Sequence, residues 1–382
     1  QGNDMIIHVV SPNESVDSIS AMYNVPPSFI INANQLSYPY PLAIGQALLI
    51  SDTPDASRRP INAGGFAYPF SPTQTLENTL PFLTDLFIFS YGFTTDGQLI
   101  YPEPDDYFML EAAFRYNVRP VMTLTSIGPD GRFDNSIISV LVNDMSLIET
   151  LVNNILLTMT NKGFVSLNID FEYIKAEDRD AFTSFVVYVT NKLNENGFTV
   201  SVDLAPKTSS DQVGLLYQGK DYGGLGFAAN SVLLMTYEWG YTYGPPMAVA
   251  PINKVRQVIE YALTQIPSEK INIGIPNYGY DWPLPYERGV TKARTIGNIE
   301  AVNIAIEKGA IIQFDETAMT PYFYYTENFI QHEVWFEDPR SIRAKLELIN
   351  EYSLRGADCW QIMRFFYAMW LIFDSMFDIT TD

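Results

Sequence analysis

The chain has almost none of the residues that build disulfide frameworks or metal clusters. Among its 382 residues it contains one cysteine, Cys359, and two histidines, His8 and His332. A single cysteine cannot form an intramolecular disulfide, and this set is too small for a zinc site of Cys and His ligands. We therefore predict that the protein uses no metal and no cofactor, and we assign neither histidine a catalytic role.

Positive charge is also scarce. The chain has 23 Lys and Arg against 44 Asp and Glu, a net charge of −21. Such a surface repels phosphate backbones and anionic lipids, so we expect neither nucleic acid nor a membrane as partner. No run of 18 or more apolar residues is present to span a bilayer. No basic and apolar leader is visible either, which leaves the route of export open.

Apolar and aromatic residues are abundant. The composition is 47% hydrophobic and 18% charged, which is enough for a sizeable core. Tyr and Phe number 24 each. Most of these rings must pack inside the protein, but rings are also the usual platforms on which sugar faces stack.

Residues 5–50 are predicted to form a compact βααβ unit. Val9 and Val10 belong to a first strand, and Ser15 can cap a helix that runs to about Tyr23. Pro26 and Pro27 open a second helix. The unit resembles a LysM module, which binds peptidoglycan and chitin, and the matching segments are His8-Val9-Val10, Glu14-Ser15-Val16, Ser18-Ile19-Ser20, Tyr23-Asn24-Val25, Ile31-Asn32-Ala33-Asn34 and Ile44-Gly45-Gln46. We predict a module over 1–52 and a polar linker over 53–62; a generic small α/β cap is the alternative.

From residue 63 onward, short apolar runs alternate with helical stretches, which is typical of a parallel sheet covered by helices. The predicted strands are 65–68, 86–91, 120–125, 165–172, 199–204, 231–237, 271–276 and 356–361. Eight such units predict an α/β fold, a (β/α)8 TIM barrel over 63–382. Because the gap before the last strand is long, we predict a small α+β insertion after the seventh strand, at about 283–337, that walls one side of a cleft.

The fourth predicted strand carries polar residues at every second position. Asn168, Asp170 and Glu172 share one face, while the alternate residues are apolar. Burying carboxylates in a barrel is costly unless they are used, and barrel active sites lie at the carboxyl ends of the strands. Glycosidic cleavage needs an acid and a group that stabilises positive charge at the anomeric carbon. Glu172 suits the acid, and Asp170 could hold a 2-acetamido group of the substrate; an exposed edge strand is the alternative.

This strand resembles the D-G-x-D-x-D-x-E signature of family 18 glycoside hydrolases. Asp170 and Glu172 match the last two acids, whereas Asn168 replaces an inner Asp and Val165-Ser166 replace the opening pair. The resemblance is to bacterial spore-cortex-lytic and sporulation-associated N-acetylglucosaminidases that carry LysM modules. It implies that Glu172 is the acid/base and Asp170 orients the acetamido group. Asn168 is expected to bind substrate but cannot share a proton with Asp170.

Two further segments resemble this family. Met235-Thr236-Tyr237-Glu238-Trp239 is similar to its M-x-Y-D run, which implies that Tyr237 donates a hydrogen bond to the acetamido oxygen. Trp360, on the last strand, is expected to form the floor beneath the cleaved sugar. The other candidates for binding substrate, each with ordinary packing as the alternative, are Tyr68, Trp239, Tyr278, Tyr280, Asp281 and Trp282.

The resemblance implies hydrolysis of β-1,4-linked N-acetylglucosamine in peptidoglycan, from spore cortex or its fragments, by a substrate-assisted retaining mechanism. A chitinase and a catalytically silent sugar-binding lectin are the alternatives. The partner is then an N-acetylglucosamine polymer, the chain is expected to act as a monomer, and the expected location is the spore coat, the cortex or the cell wall, with secretion left open.

Overall fold

The computed structural model describes residues 5–381. Its strands are β1 Met5–Val9, β2 Ala47–Asp52, β3 Pro60–Ala67, β4 Asp85–Phe93, β5 Leu99–Ile100, β6 Arg119–Leu124, β7 Ser166–Ile169, β8 Thr199–Leu204, β9 Ser231–Leu234, β10 Ile271–Pro276, β11 Gly279–Pro283, β12 Arg294–Ile296, β13 Gln313–Asp315, β14 Thr320–Glu327, β15 Ile330–Trp335, β16 Gly356–Trp360 and β17 Asp378–Ile379. Its α-helices are α1 Val16–Tyr23, α2 Pro27–Ala33, α3 Thr73–Thr79, α4 Tyr107–Arg115, α5 Ser136–Val142, α6 Met145–Lys162, α7 Arg179–Glu195, α8 Tyr222–Ala228, α9 Ile252–Leu263, α10 Asn298–Lys308, α11 Pro339–Glu351 and α12 Tyr367–Met376.

The N-terminal unit folds as the predicted βααβ arrangement. β1 and β2 pair antiparallel, and the two helices connect them. Ser15 caps α1 through a reciprocal pair of hydrogen bonds with Ser18, and Asn24 ends the helix in the left-handed region at φ 54°. Its own small core includes Ile19, Ile30 and Leu48, which are all fully buried.

Eight parallel strands close into a barrel, which confirms the predicted fold class. In chain order they are β3, β4, β6, β7, β8, β9, β10 and β16, and β3 closes the ring by pairing with both β4 and β16. β7 ends at Ile169 and β9 ends at Leu234, before the predicted ends at 172 and 237. Asp170 nevertheless stays in line with β7, because its N–H donates to the Leu124 carbonyl at 2.9 Å.

The insertion between β10 and α11 is an antiparallel sheet with one helix. Its strand order is β12-β11-β15-β14-β13, and α10 lies between β12 and β13 in the chain. The sheet begins at Gly279 rather than at the predicted residue 283. This shift places the chain segment 279–283 in the insertion, which changes the role of three predicted site residues, Tyr280, Asp281 and Trp282.

The N-terminal unit packs directly on the barrel. Met5, Ala33 and Leu49 belong to the same continuous apolar core as the barrel strands and helices. Tyr367 N–H donates to the Gln35 side chain at 2.7 Å. The connecting segment is short and fixed, because β3 already begins at Pro60, inside the predicted linker 53–62, and the N–H of Asp55 donates to the Ser375 carbonyl at 3.0 Å.

Within residues 5–381, no single helix is long and apolar enough to cross a membrane. The helices α5 and α6, which are bent by 100° relative to each other, together have the length and apolar composition of such a span. Over the same range, no three His, Cys, Asp or Glu side chains are grouped so that they could hold a metal ion.

Candidate active site

A cleft of about 370 Å³ opens at the carboxyl ends of the barrel strands. This size suits a sugar-sized ligand, and the position is the usual one for barrel active sites. The structure brings six of the predicted site residues into its lining, namely Tyr68, Asp170, Glu172, Tyr237, Trp239 and Trp360. The other five predicted residues lie beneath or behind this lining.

The residues that follow β7 alternate between the cleft and the core. Asp170 is partly buried and Glu172 is exposed, and both line the cleft. Phe171 between them is fully buried, and its ring lies against those of Phe182 and Phe185 on α7, with centroids 6.0 Å apart. The alternation predicted for a strand therefore persists beyond its last regular residue, and it aims two carboxylates into one opening.

Asn168 lies below the cleft and does not contact it. Its side chain is fully buried, and its amide donates to Ser201 Oγ at 3.0 Å and to Asp203 Oδ1 at 2.7 Å. The prediction that Asn168 binds substrate is therefore not supported by the structure. Strand alternation predicts that a side chain points inward but does not predict how deep it lies.

Asp203 on β8 is a site residue that the sequence analysis missed. It lines the bottom of the cleft, is 1% exposed and follows Val202, the register partner of Ile169, so that it lies beside Asp170. Burial raises the pKa of both carboxyls, and the charge of Asp170 raises that of Asp203 further. The alternation of Ser201 and Asp203 with Val200 and Val202 on β8 could have revealed it.

Lys220 places a buried cation beside these carboxyls. Its side chain is 1% exposed, and its Nζ donates to the Phe171 carbonyl at 2.5 Å and the Asp203 carbonyl at 3.2 Å. Burial lowers its pKa to about 8, against the opposing effect of Asp170 and Asp203. Lys220 joins the ends of β7 and β8 and partly balances the negative charge of the site. It precedes a short helix in an irregular segment, and no sequence pattern marked it.

Tyr237 follows β9 and lies over β10. Gly274 leaves room for its ring, because an added Cβ at that position would come within 2.4 Å of a ring carbon. Burial raises the pKa of the Tyr237 phenol well above its ordinary value, and the nearby carboxyls Asp203 and Asp170 raise it further. The phenol is therefore a permanent hydrogen-bond donor at the wall of the cleft.

Glu238 adds a further carboxylate that was not among the predicted site residues. It lines the cleft with φ at 70°, in the left-handed region that non-glycine residues seldom adopt. The hydroxyls of Tyr278 and Tyr280 hold its carboxylate, at 2.9 Å for Tyr278 and at 2.8 and 2.9 Å for Tyr280. These two tyrosines are buried behind Glu238, so they position a cleft residue and do not line the cleft themselves.

Asp281 and Trp282 are also wrong as cleft residues. Both belong to β11 of the insertion sheet and are buried. The carboxylate of Asp281 contacts the Tyr325 hydroxyl and, at 2.7 Å, Nδ1 of His332. The Trp282 indole donates to the Gly244 carbonyl at 2.8 Å. Asp281 therefore links strands within the insertion, and Trp282 links the insertion to the loop that follows β9.

Aromatic side chains form the floor and one wall of the cleft. The Trp360 ring lies 5.1 Å from Phe89, 5.4 Å from Phe66 and 6.1 Å from Tyr68, measured between centroids. Phe133, which is 55% exposed, extends this surface outward from Phe89. An apolar floor next to carboxylates is a suitable surface for the face of a sugar ring. Phe89 and Phe133 were missed because their strand and loop offer no pattern that separates cleft from core.

Comparison with known proteins gives matches for both parts of the chain. Residues 65–364 match the family Glycosyl hydrolases family 18, and residues 8–51 match the LysM domain. The chain is 36% identical to the Cortical fragment-lytic enzyme of Bacillus subtilis (strain 168), over 98% of this chain and 99% of the relative. It is 38% identical to the Cortical fragment-lytic enzyme of Bacillus anthracis, over 78% of this chain and 69% of that protein.

Among solved structures, the crystal structure of the Bacillus megaterium QM B1551 spore cortex-lytic enzyme SleL superposes with a TM-score of 0.94. That match has 32% sequence identity and covers 100% of both chains. SleL therefore has the same N-terminal unit and barrel, in the same relative arrangement.

Proposed function

Because this chain belongs to the glycosyl hydrolases of family 18 and carries a LysM domain, it is a glycoside hydrolase, and we propose that it cleaves β-1,4-linked N-acetylglucosamine in the peptidoglycan of spore cortex or in cortex fragments. The relatives are named for action on cortex or cortical fragments. The LysM domain suits the same polymer, since it belongs to a class that binds N-acetylglucosamine chains. The protein then acts at the spore cortex or cell wall.

Glu172 supplies the proton in this proposal. It stands exposed at the mouth of the cleft, where a bridging oxygen can reach it, while the aromatic floor at Trp360 holds the sugar. Protonation of the leaving oxygen lets the glycosidic bond break as positive charge develops at the anomeric carbon. In the second half of the reaction, Glu172 takes a proton from the attacking water.

The nucleophile in this proposal is the carbonyl oxygen of the substrate's own 2-acetamido group. Asp170 lies deeper than Glu172, which suits it to accept a hydrogen bond from the acetamido N–H. The Tyr237 hydroxyl donates to the acetamido oxygen, and this positions the oxygen to bond to the anomeric carbon. The single observation that carries the proposal is the opening of Asp170, Glu172 and Tyr237 into one cleft above Trp360.

The test is product analysis with the full chain acting on purified cortex peptidoglycan. New reducing ends are labelled with borohydride and identified by mass spectrometry. N-acetylglucosamine at these ends supports the proposal, whereas muramic acid would make the protein a muramidase and overturn it. Cleavage of chitin oligosaccharides with no cleavage of cortex would instead assign a chitinase.

A second measurement addresses the acetamido group. A substrate whose acetamido group is replaced by trifluoroacetamido has a less nucleophilic carbonyl oxygen and should react at least about tenfold more slowly, because that oxygen attacks in the rate-determining step. Equal rates for the two substrates would rule out substrate assistance while leaving hydrolysis intact.

A further inference from the structure

Asp170 has a carboxyl partner, and the partner comes from the neighbouring strand. β7 and β8 pair in the register Asn168 to Ser201 and Ile169 to Val202, so Asp203 follows next to Asp170. The register therefore brings the two carboxyl groups side by side, within reach of a hydrogen bond. Two carboxyl groups can form a hydrogen bond with each other only when one of them carries a proton.

We infer that Asp203 shares one proton with Asp170 and thereby performs the task that Asn168 cannot perform on their own strand. Asp203 is a positioning residue, because it acts through Asp170 and lies below the group that would meet the sugar. Its part in turnover rests on the proposed acetamido mechanism, whereas the shared proton is a property of the free enzyme.

The contacts of Asp203 specify where the proton lies. Its Oδ1 accepts the Asn168 amide at 2.7 Å, so the proton belongs on Oδ2, on the side that remains for Asp170. Asn168 is neutral and donates one hydrogen bond without adding charge. A fourth carboxyl group, at position 168, would add repulsion to a site that already holds Asp170, Asp203 and Glu172.

The other ionisable groups that face Asp203 favour this singly protonated pair. Lys220 packs against its backbone carbonyl and supplies one positive charge. Tyr237 and Asp358 act on it through space, and where Asp358 is ionised its negative charge favours retention of the proton on Asp203. The one positive charge of Lys220 then offsets the one negative charge of the Asp170–Asp203 pair.

The proton stays within the pair during the reaction. When the acetamido N–H approaches, it donates to Asp170, and Asp203 keeps the proton on its own oxygen. Asp170 is then a full carboxylate while the acetamido oxygen bonds to the anomeric carbon and Glu172 gives its own proton to the leaving oxygen. No proton leaves or enters the pair, and the charge on Asp170 stabilises the cyclised cation.

The sign of the effect on Asp170 distinguishes a shared proton from two ionised carboxylates. A hydrogen bond from Asp203 stabilises ionised Asp170, so removal of a protonated Asp203 raises the pKa of Asp170. Removal of an ionised Asp203 would relieve repulsion and lower that pKa instead. The measurement is a carbon-13 NMR titration of the full chain labelled at the Asp carboxyl carbon, with the Asp170 signal identified by its loss in Asp170→Asn.

We expect the Asp170 midpoint to rise by about one pH unit in Asp203→Ala and by less in Asp203→Asn, whose amide is a weaker donor than a carboxylic acid. Asp203→Asn also serves if the alanine variant fails to fold. Ser201→Ala is the matched control on the same strand, because it removes the other acceptor of Asn168 and should leave the midpoint in place. An unchanged or lowered midpoint in both Asp203 variants overturns the inference.

Kinetics on a soluble N-acetylglucosamine substrate give the second readout. Asp203→Ala should lower kcat about tenfold with KM within threefold, and the acidic limb of kcat/KM should move to higher pH with the Asp170 midpoint. The exchange variant Asn168→Asp/Asp203→Asn restores a carboxyl beside Asp170 and should regain part of the rate, which a purely structural role would not allow. A raised midpoint with an inactive wild-type protein would refute the proposed function and leave the shared proton established.

Discussion

Glu172 and Asp170 enter the same cleft from one chain segment, but Glu172 is exposed whereas Asp170 is partly buried beside Asp203. This difference in surroundings separates their proposed tasks. Glu172 can exchange protons with solvent and with the leaving group. Asp170 is enclosed by its neighbours and is therefore suited to orient the substrate.

Glu172→Gln should lower kcat by about two orders of magnitude or more, the usual contribution of a general acid. Glutamine keeps the size and polarity of the side chain but has no proton to give. The measurement is release of reducing ends from cortex fragments. Glu177→Gln, an exposed residue outside the cleft lining, is the matched control and should keep wild-type rates. A Glu172→Gln enzyme within a few-fold of wild type would exclude Glu172 as the acid.

Tyr237→Phe should reduce kcat about 10- to 100-fold and leave KM nearly unchanged. The ring still fills the space above Gly274, but the hydroxyl that would meet the acetamido oxygen is lost, and one such donor contributes about this much to rate. Steady-state kinetics on a chromogenic N-acetylglucosaminide provide the measurement. Tyr324→Phe, on the exposed side of the insertion, controls for loss of a hydroxyl. Loss of binding with kcat retained would assign Tyr237 to ground-state recognition instead.

Gly45→Ala should destabilise the joint between the LysM module and the insertion. A Cβ at Gly45 would lie 1.9 Å from the Ile312 carbonyl oxygen, and φ at this residue is +85°. Gly197, with φ +82° and nothing within 4 Å of an added Cβ, is the matched control for the backbone strain alone. We expect Gly197→Ala to cost about 1–2 kcal/mol and Gly45→Ala about 1–3 kcal/mol more. Denaturant unfolding measures both; equal losses would mean that the joint adapts.

Asp358 should make the protein less stable as pH rises toward neutrality. Burial raises the pKa of this carboxyl to about 7, above its ordinary value of 3.8, so the folded state holds a proton that the unfolded state has released. Between these two values the free energy of unfolding therefore falls with rising pH, by at most about 1.4 kcal/mol per pH unit. Above about pH 7 the contribution becomes constant.

Asp358→Asn, which mimics the protonated carboxyl, should flatten this part of the profile relative to wild type. Urea unfolding at pH 5, 6 and 7 is the measurement, and the quantity to compare is the difference between the two proteins at each pH. Parallel profiles would show that Asp358 ionises in the folded state as easily as in the unfolded one.

The pattern of apolar strands predicted the barrel well, but it predicted poorly how deep each inward-pointing side chain lies below the cleft. β8 and β10 have the predicted bounds, because their apolar runs end at turn residues or at the start of an irregular segment. Alternation after β7 correctly indicated that Asp170 and Glu172 share a direction. The same alternation placed Asn168 in the site, although it lies one layer too low to meet a ligand.

The remaining errors come from long-range contacts. Tyr278 and Tyr280 follow a barrel strand, so sequence order suggested the cleft, yet their segment turns into the insertion sheet and supports Glu238 from behind. Asp203 could have been predicted from the same strand alternation that revealed Asp170. Lys220 could not have been predicted, because only the folded chain brings its irregular segment beneath the ends of β7 and β8.

The apolar seam that Met5, Ala33 and Leu49 share with the barrel means that the two parts of this chain cannot be separated cleanly by truncation. A cut after β2 would expose apolar surface on the catalytic part. It would also remove apolar contacts that the N-terminal module makes with the barrel. If wall cleavage were lost after such a cut, the cause could equally be a destabilised barrel or the loss of wall binding by the module. Attachment and cleavage have to be separated by single replacements on the outward side of the module.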